Sequence, residues 1–193
     1  MATDPGWVPA LGNFWRYAFF PTWQQRTRRV NEMPVLIWIR TMTLTAPFMW
    51  LIIFIVLVLI RRPGGRVRNG TVFAIVVTAL GAATLVALLL ARARSIGGVD
   101  PVSVVSEYRA RFFLGWALAS TAVLFGFVFY FQSHALTVFL IGAIFGSLGI
   151  IINAPARARI AADQARLQQA GSTVRLLDAL MLPNGSIPQR PRR

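Results

Sequence analysis

Residues 112–154 read FFLGWALASTAVLFGFVFYFQSHALTVFLIGAIFGSLGIIINA, and they decide the fold of this chain. The stretch holds two apolar runs of about twenty residues, the length with which a helix crosses a hydrocarbon core of about 30 Å. The short polar turn Gln132-Ser133-His134 separates the two runs. This pattern predicts an antiparallel hairpin of two transmembrane helices.

Two more apolar runs precede the hairpin. We predict spans over residues 42–60 and 71–91, in addition to 112–131 and 135–154. Arg40 stands at the start of the first span, where a long basic side chain can reach the lipid head groups. The chain is therefore predicted to be all-α, a polytopic membrane protein with a four-helix transmembrane domain over residues 34–155.

The composition supports a membrane protein. Of 193 residues, 56% are hydrophobic and only 13% are charged, whereas a soluble domain has about 25% charged residues. All twenty basic residues are arginine, a bias typical of GC-rich bacterial genomes, so we expect a bacterial cytoplasmic membrane. The absence of cysteine excludes disulfides, thiolate nucleophiles and cysteine-ligated metals.

The distribution of arginine predicts the topology. The turn at residues 132–134 has no arginine and should therefore be external, which places both termini and the 92–111 loop in the cytoplasm. Four arginines then fall in an external loop over residues 61–70, which violates the positive-inside rule: Arg61, Arg62, Arg66 and Arg68. Because the arginines cluster at the ends of the spans, the net charge of +14 indicates anionic lipids as partners and not nucleic acid.

The N-terminal region, residues 1–33, is rich in aromatic residues and arginine but is not a span. Such a mixture is typical of an interfacial anchor, and we expect an amphipathic helix from Thr22 to about Glu32. The alternative is a docking arm for a partner protein. In either case the candidate anchors are Trp7, Trp15, Arg16, Tyr17, Trp23 and Arg26.

Local signals define the remaining polar segments. Asp100 and Pro101 predict an N-cap and first turn of a helix that continues into the third span, with Glu107 and Arg111 spaced to pair along one face. Residues 156–182 predict cytoplasmic amphipathic helices, the second with a leucine stripe that lies on the membrane or against a partner. Residues 183–193 are predicted to be disordered.

Small residues recur at helical spacing on three spans and predict close helix packing. The fourth span carries a GxxxG pair, which indicates either a homodimer interface or packing on the third span within one chain. The predicted packing residues are Ala79, Ala83, Ala87, Gly115, Ala119, Gly126, Gly142, Gly146, Gly149 and Asn153.

The titratable residues argue against catalysis and ion transport. None of the six carboxylates falls inside a predicted span, although proton and cation carriers need such groups there. The single histidine, His134, lies in the external turn, where it is a solvated residue or a ligand for a metal, haem or chlorophyll. We see no nucleotide-binding or metalloprotease motif. The sequence predicts no enzyme, no cofactor and no metal site.

Part of the chain resembles a known family. The run ALASTAVLFGF at residues 117–127 resembles the second helix of the rotor c subunit of ATP synthases, and the likeness extends over residues 71–131 as a helical hairpin. In that family a carboxylate in such a run binds the transported proton, whereas this chain has Ser120 and Thr121. The chain also resembles uncharacterised four-helix membrane proteins of high-GC bacteria with an arginine-rich tail.

Three hypotheses of function remain open. The first is a non-catalytic accessory or scaffold subunit of a bacterial membrane complex, whose partners are other membrane subunits or a second copy of this chain. The second is a lipid or small-molecule transport component, with Ser120, Thr121, Ser147 and Asn153 lining one intramembrane cavity. The third is a pigment- or haem-binding protein that uses His134.

Overall fold

The computed structural model describes residues 3–19, 30–60, 69–94, 96–98 and 100–186, with only the backbone for residues 17–19. In this part of the chain the structure is α-helical, and it contains no β-strand. The helices are α1 (Val8–Phe19), α2 (Val35–Ile60), α3 (Gly70–Ala93), α4 (Pro101–Ser133), α5 (Leu136–Asn153), α6 (Arg157–Gln169) and α7 (Leu176–Leu180), followed by a 3₁₀ turn at Asn184–Ser186.

Four of these helices, α2 to α5, are long enough and apolar enough to cross a membrane. The prediction of an all-α, multi-pass membrane protein with four spans is therefore confirmed. The helix predicted to begin at Pro101 runs without a break to Ser133. Its first turn is capped by Asp100, whose Oδ1 accepts the Ser103 N–H at 2.8 Å, and this hydrogen bond holds the pKa of Asp100 below its usual value.

The chain divides into two compact units. The terminal unit comprises Met1–Leu44, Ser95–Phe112 and Pro155–Arg193, and the membrane unit comprises Thr45–Arg94 and Phe113–Ala154. The terminal unit thus joins the three segments that the topology assigns to one side of the membrane.

In the membrane unit, α4 and α5 approach so closely that side chains would not fit between their backbones. A Cβ atom placed on Gly142 would lie 2.5 Å from the carbonyl oxygen of Ala122 and 3.1 Å from the Cα of Gly126. One placed on Gly149 would lie 2.8 Å from the Cβ of Ala119. The glycine face of the fourth span therefore packs on the third span within one chain.

A second close approach brings α4, α5 and α3 together. A Cβ atom on Gly115 would lie 2.5 Å from Oδ1 of Asn153 and 2.7 Å from Cδ1 of Leu88. Asn153 is buried at this point. Helix α2 packs on α4 farther along the bundle, where the Leu57 carbonyl oxygen accepts the Tyr130 hydroxyl at 3.2 Å.

Among the described residues, the alanine stripe of α3 does not face a neighbouring helix. Ala79 and Ala83 are exposed and Ala87 is half-buried, whereas Val77, Gly81 and Leu88 are buried. At about 100° per residue the two sets lie roughly 140° apart around the helix. Phe145 of α5 explains why the other face is packed. Its Cδ2 would lie 2.6 Å from a Cβ on Gly81, so the ring fits against α3 only at this glycine.

Several expectations for the terminal segments need correction or lie outside the described residues. Pro183 pairs with Pro34 in an antiparallel bridge and the Asn184 N–H donates to the Met33 carbonyl at 2.9 Å, so residues 183–186 are ordered. The tail at 187–193, the arginines of the 61–68 segment and most of the helix expected between Thr22 and Glu32 lie outside the description. Helix α1 was not predicted.

The packing of Gly146 leads to a testable prediction. A Cβ there would lie 3.0 Å from the Ala119 carbonyl oxygen and 3.1 Å from Cη2 of Trp50. We expect Gly146→Leu to lower the free energy of unfolding by about 1–3 kcal/mol, the usual cost of overpacking a core. Thermal unfolding in mild detergent measures the effect.

The matched control is Ala83→Leu, which adds bulk on the exposed face of α3. We expect it to change the free energy of unfolding by less than about 0.5 kcal/mol. If Ala83→Leu destabilises the protein as much as Gly146→Leu, the alanine stripe is covered and the packing face assigned to α3 is wrong.

Candidate functional site

The terminal unit is organised around a buried guanidinium. Arg40 has only 1% of its surface exposed. Its Nη1 lies 2.6 Å from Oδ1 of Asp4, and its Nη2 lies 3.0 Å from Oδ2 of the same carboxylate. The expectation that Arg40 reaches the lipid head groups is therefore wrong, because the N-terminal segment covers it and supplies a counter-ion.

The remaining donors of Arg40 bind backbone carbonyls. Nη1 also donates to the Gly6 carbonyl at 2.6 Å, and Nε and Nη2 donate to the Pro155 carbonyl at 3.3 Å and 3.1 Å. The Trp7 ring lies 5.2 Å from the guanidinium carbon. A buried charge is tolerated when it is paired and fully hydrogen-bonded, and here that requirement joins the N-terminal segment, α2 and the residue that follows the last span.

The ion pair also changes the pKa of Asp4. Hydrogen bonds from Arg40 hold the pKa of Asp4 below its usual value, although burial of the carboxyl acts in the opposite direction. The Gly6 N–H donates to Asp4 Oδ1 at 2.9 Å and adds to the lowering of the pKa. Asp4 is therefore a structural anion near neutral pH.

A second ion pair, between a partly exposed arginine and a buried carboxylate, joins α4 to α6. Arg111 Nη2 binds Oδ2 of Asp163, whose side chain is only 3% exposed. The expected pair between Glu107 and Arg111 does not form; instead Glu107 accepts the Gly97 N–H at 2.7 Å. Arg111 faces the buried side of α6. It therefore pairs with Asp163, 52 residues away, and not with Glu107 on its own helix.

An open cleft of about 380 Å³ lies on the terminal unit, between the N-terminal segment, one face of α6 and α7. Helix α6 lines it with a stripe at helical spacing: Arg157, Ile160, Ala161, Gln164 and Gln168. The opposite side includes Arg175 and Asp178, whose charged groups are 3.7 Å apart. Charged groups of both signs above an apolar floor suit a polypeptide segment of mixed polarity.

The wall formed by α7 is fixed by Gln164. Its Nε2 donates to the Val174 carbonyl at 3.2 Å, and its Oε1 accepts the Leu176 N–H at 2.5 Å. Leu176 and Leu180 are fully buried inside the terminal unit. The protein's own core therefore covers Leu176 and Leu180 of the predicted leucine stripe, whereas Leu177 of the same stripe lines the cleft.

The predicted interface anchors divide into three groups. Trp7 packs against Arg40 inside the terminal unit. Trp15 and Arg16 are exposed on α1. The Tyr17 side chain, Trp23 and Arg26 lie outside the described part of the chain.

The groups required for a transport cavity do not line either of the two cavities that we describe. Thr121 donates to the Ala117 carbonyl at 2.9 Å, as hydroxyls in helices often do. Asn153 lies against Gly115 and Ser147 is half-buried. The buried Ser120 Oγ has no hydrogen-bond partner among the residues that the structure describes. Both cavities, the cleft and a second one of about 260 Å³ beside Gly97 and Gly171, are on the terminal unit.

His134 lies in the turn between α4 and α5. It is exposed and takes a positive φ of 55°, with its N–H bound to the Tyr130 carbonyl at 2.7 Å. Across the residues that the structure describes, no group of three or more His, Cys, Asp or Glu side chains is placed to hold a metal ion.

The fold thus defines a multi-pass α-helical membrane protein with a compact terminal unit. Comparison with protein-family models, with curated proteins and with solved structures gives no match for this chain.

The Arg40–Asp4 pair leads to a second prediction. Asp4→Asn leaves a buried guanidinium without its counter-ion, so we expect it to lower the free energy of unfolding by about 3–5 kcal/mol. The double variant Asp4→Asn/Arg40→Met removes both charges and should recover most of that loss. The exposed Arg16→Met is the matched control, and an Asp4→Asn variant as stable as this control would contradict the assignment.

The lowered pKa of Asp4 leads to a third prediction. The pair stabilises the fold fully above the unfolded pKa of about 3.9, and this stabilisation is lost as the pH falls through the lower, folded pKa. We therefore expect the Tm of the wild type, measured against that of Asp4→Asn/Arg40→Met, to hold steady at neutral pH and to fall below about pH 4. A difference in Tm that does not change with pH would show that Asp4 is not ionised in the pair.

Proposed function

We propose that this protein is a non-catalytic accessory or scaffold subunit of a membrane protein complex, and that its partner binds the cleft of the terminal unit. The observation that carries the proposal is the construction of this unit. Three chain segments fold together around the Arg40–Asp4 and Arg111–Asp163 pairs, and an open cleft lies on their surface. Such a folded unit on four spans is suited to hold another protein at the membrane.

The use of the carboxylates supports a structural role. Asp4 is bound by the buried Arg40, Asp163 by the partly exposed Arg111, and Asp178 lies beside Arg175. Asp100 caps α4 and Glu107 binds a backbone N–H. A general acid or base must be able to exchange a proton with substrate, whereas these five groups are engaged in holding the fold.

The composition of the cleft supports a protein as the partner. Gln168, Arg157 and Arg175 are exposed along its rim, and Ile160 and Leu177 supply an apolar floor. A polar rim around an apolar centre is the usual composition of a protein–protein contact. Because α6 and the Gln164 contacts fix the walls, the partner would meet a preformed surface.

The proposed location is the cytoplasmic membrane of a bacterium, with the terminal unit in the cytoplasm. The use of arginine for all twenty basic residues supports the source. The positive-inside rule supports the side, since the terminal unit holds most of the arginines.

The first test is purification from native membranes in mild detergent at native expression, followed by mass spectrometry. We expect a membrane protein partner to co-elute in stoichiometric amount. A lone species, or one that co-elutes only with copies of itself, would contradict a hetero-complex.

A matched pair of variants then tests the cleft. Ala161 and Ala162 are adjacent, exposed residues of α6, and only Ala161 lines the cleft. We expect Ala161→Trp to fill the cleft and remove the partner, whereas Ala162→Trp should retain it, with equal Tm for both. Equal retention by the two variants would place the partner elsewhere on the protein.

A further inference from the structure

Helix α1 has two apolar faces, of which the described part of the chain buries only one. Ala10 and Phe14 are buried against the terminal unit. Val8, Leu11 and Trp15 are 80%, 48% and 52% exposed, and they are spaced three and four residues apart. These three side chains form a continuous apolar ridge, here called the α1 ridge.

The contacts of α1 fix its level along α2. The Thr41 hydroxyl lies 3.5 Å from the Ala10 carbonyl oxygen, and the preceding Arg40 binds Gly6 just before α1. Helix α2 ends at Ile60 and is followed in sequence by Arg61 and Arg62. Counting back the roughly 20 residues needed to cross the hydrocarbon core places the start of the span at about Thr41. Helix α1 is thus attached where α2 enters the membrane.

The charges and side chains of α1 suit this level. Residues 8–19 include no acidic residue, and Arg16 is exposed next to Trp15. The acid that precedes the helix, Asp4, is paired with Arg40. Indole rings are enriched at the head-group level of bilayers, where arginine can bind lipid phosphates.

We propose that the α1 ridge lies in the head-group region of the bilayer, with Arg16 reaching the phosphates of anionic lipids. The size of the ridge favours lipid over protein as its occupant. A stable protein interface buries about 800 Å² on each partner and uses twenty or more residues, whereas the ridge consists of three side chains. An interfacial helix needs only such a short apolar face beside polar and basic residues.

The experiment uses the absence of cysteine from the chain, so that one introduced cysteine reports one position. Leu11→Cys and Trp15→Cys place a nitroxide spin label on the ridge, and Ala162→Cys, an exposed position of α6 outside the ridge and the cleft, is the control. Each full-length variant is labelled and placed in nanodiscs of phosphatidylglycerol and phosphatidylethanolamine. Collision rates with oxygen and with a water-soluble nickel complex are then compared.

We expect the two ridge labels to show a several-fold higher ratio of oxygen to nickel collisions than the Ala162→Cys label. Equal ratios at all three positions would place the ridge in water and overturn the proposal. Ridge labels that are immobile and shielded from both reagents would also overturn it, because they would indicate a protein partner or a second copy.

A second measurement needs no label and tolerates failure of a cysteine variant. Brominated lipids quench indole fluorescence at short range, so the quenched fraction in wild-type protein should fall in the conservative variant Trp15→Phe. The matched variant Trp7→Phe removes an indole that packs on Arg40 and should reduce the quenched fraction less. If Trp15→Phe leaves the quenched fraction unchanged, the ridge does not contact lipid. Neither measurement depends on a partner at the cleft.

Discussion

A buried arginine at the start of the first span imposes the main constraint on this structure. The Arg40 guanidinium cannot remain buried without a counter-ion and a full set of acceptors, because an uncompensated charge in this environment is costly. Asp4, Gly6 and Pro155 meet that requirement from two distant parts of the chain. Satisfying one side chain therefore closes the N-terminal segment over α2 and fixes the point where the chain leaves the last span. The terminal unit is a consequence of that demand.

Local physics made part of the fold predictable. The four spans follow from the length and polarity of the apolar runs, and the start of α4 follows from Asp100, whose capping bond joins residues three positions apart. The two long-range ion pairs could not be predicted in this way. Arg40 and Asp4 are 36 residues apart, and Arg111 and Asp163 are 52 apart. The sequence suggested local partners instead: lipid head groups for Arg40 and Glu107 for Arg111. The partners that the fold supplies are not visible in the local sequence.

The two small-residue stripes show that a sequence pattern does not predict which face of a helix is packed. Both the alanines of α3 and the glycines of α5 are small enough to allow a neighbouring helix to approach closely. Their size alone does not determine which face of the helix is packed. On α5 the glycines meet the backbone of α4. On α3 the packed face is chosen by Phe145, whose ring needs the space at Gly81 and turns Ala79 and Ala83 outward. The size of the partner side chain decides the outcome, and that side chain belongs to another helix.

The Arg40 pair also relates the two surfaces to which we assign binding roles. Asp4 lines the cleft and binds Arg40, while Gly6, four residues before Ala10, accepts a hydrogen bond from the same guanidinium. The segment between them leads directly into α1, whose ridge begins at Val8. A change that displaces Asp4 must therefore alter the wall of the cleft and release the start of α1 together. The proposed partner site at the cleft and the proposed lipid contact at the ridge therefore share one physical support, the Arg40–Asp4 pair.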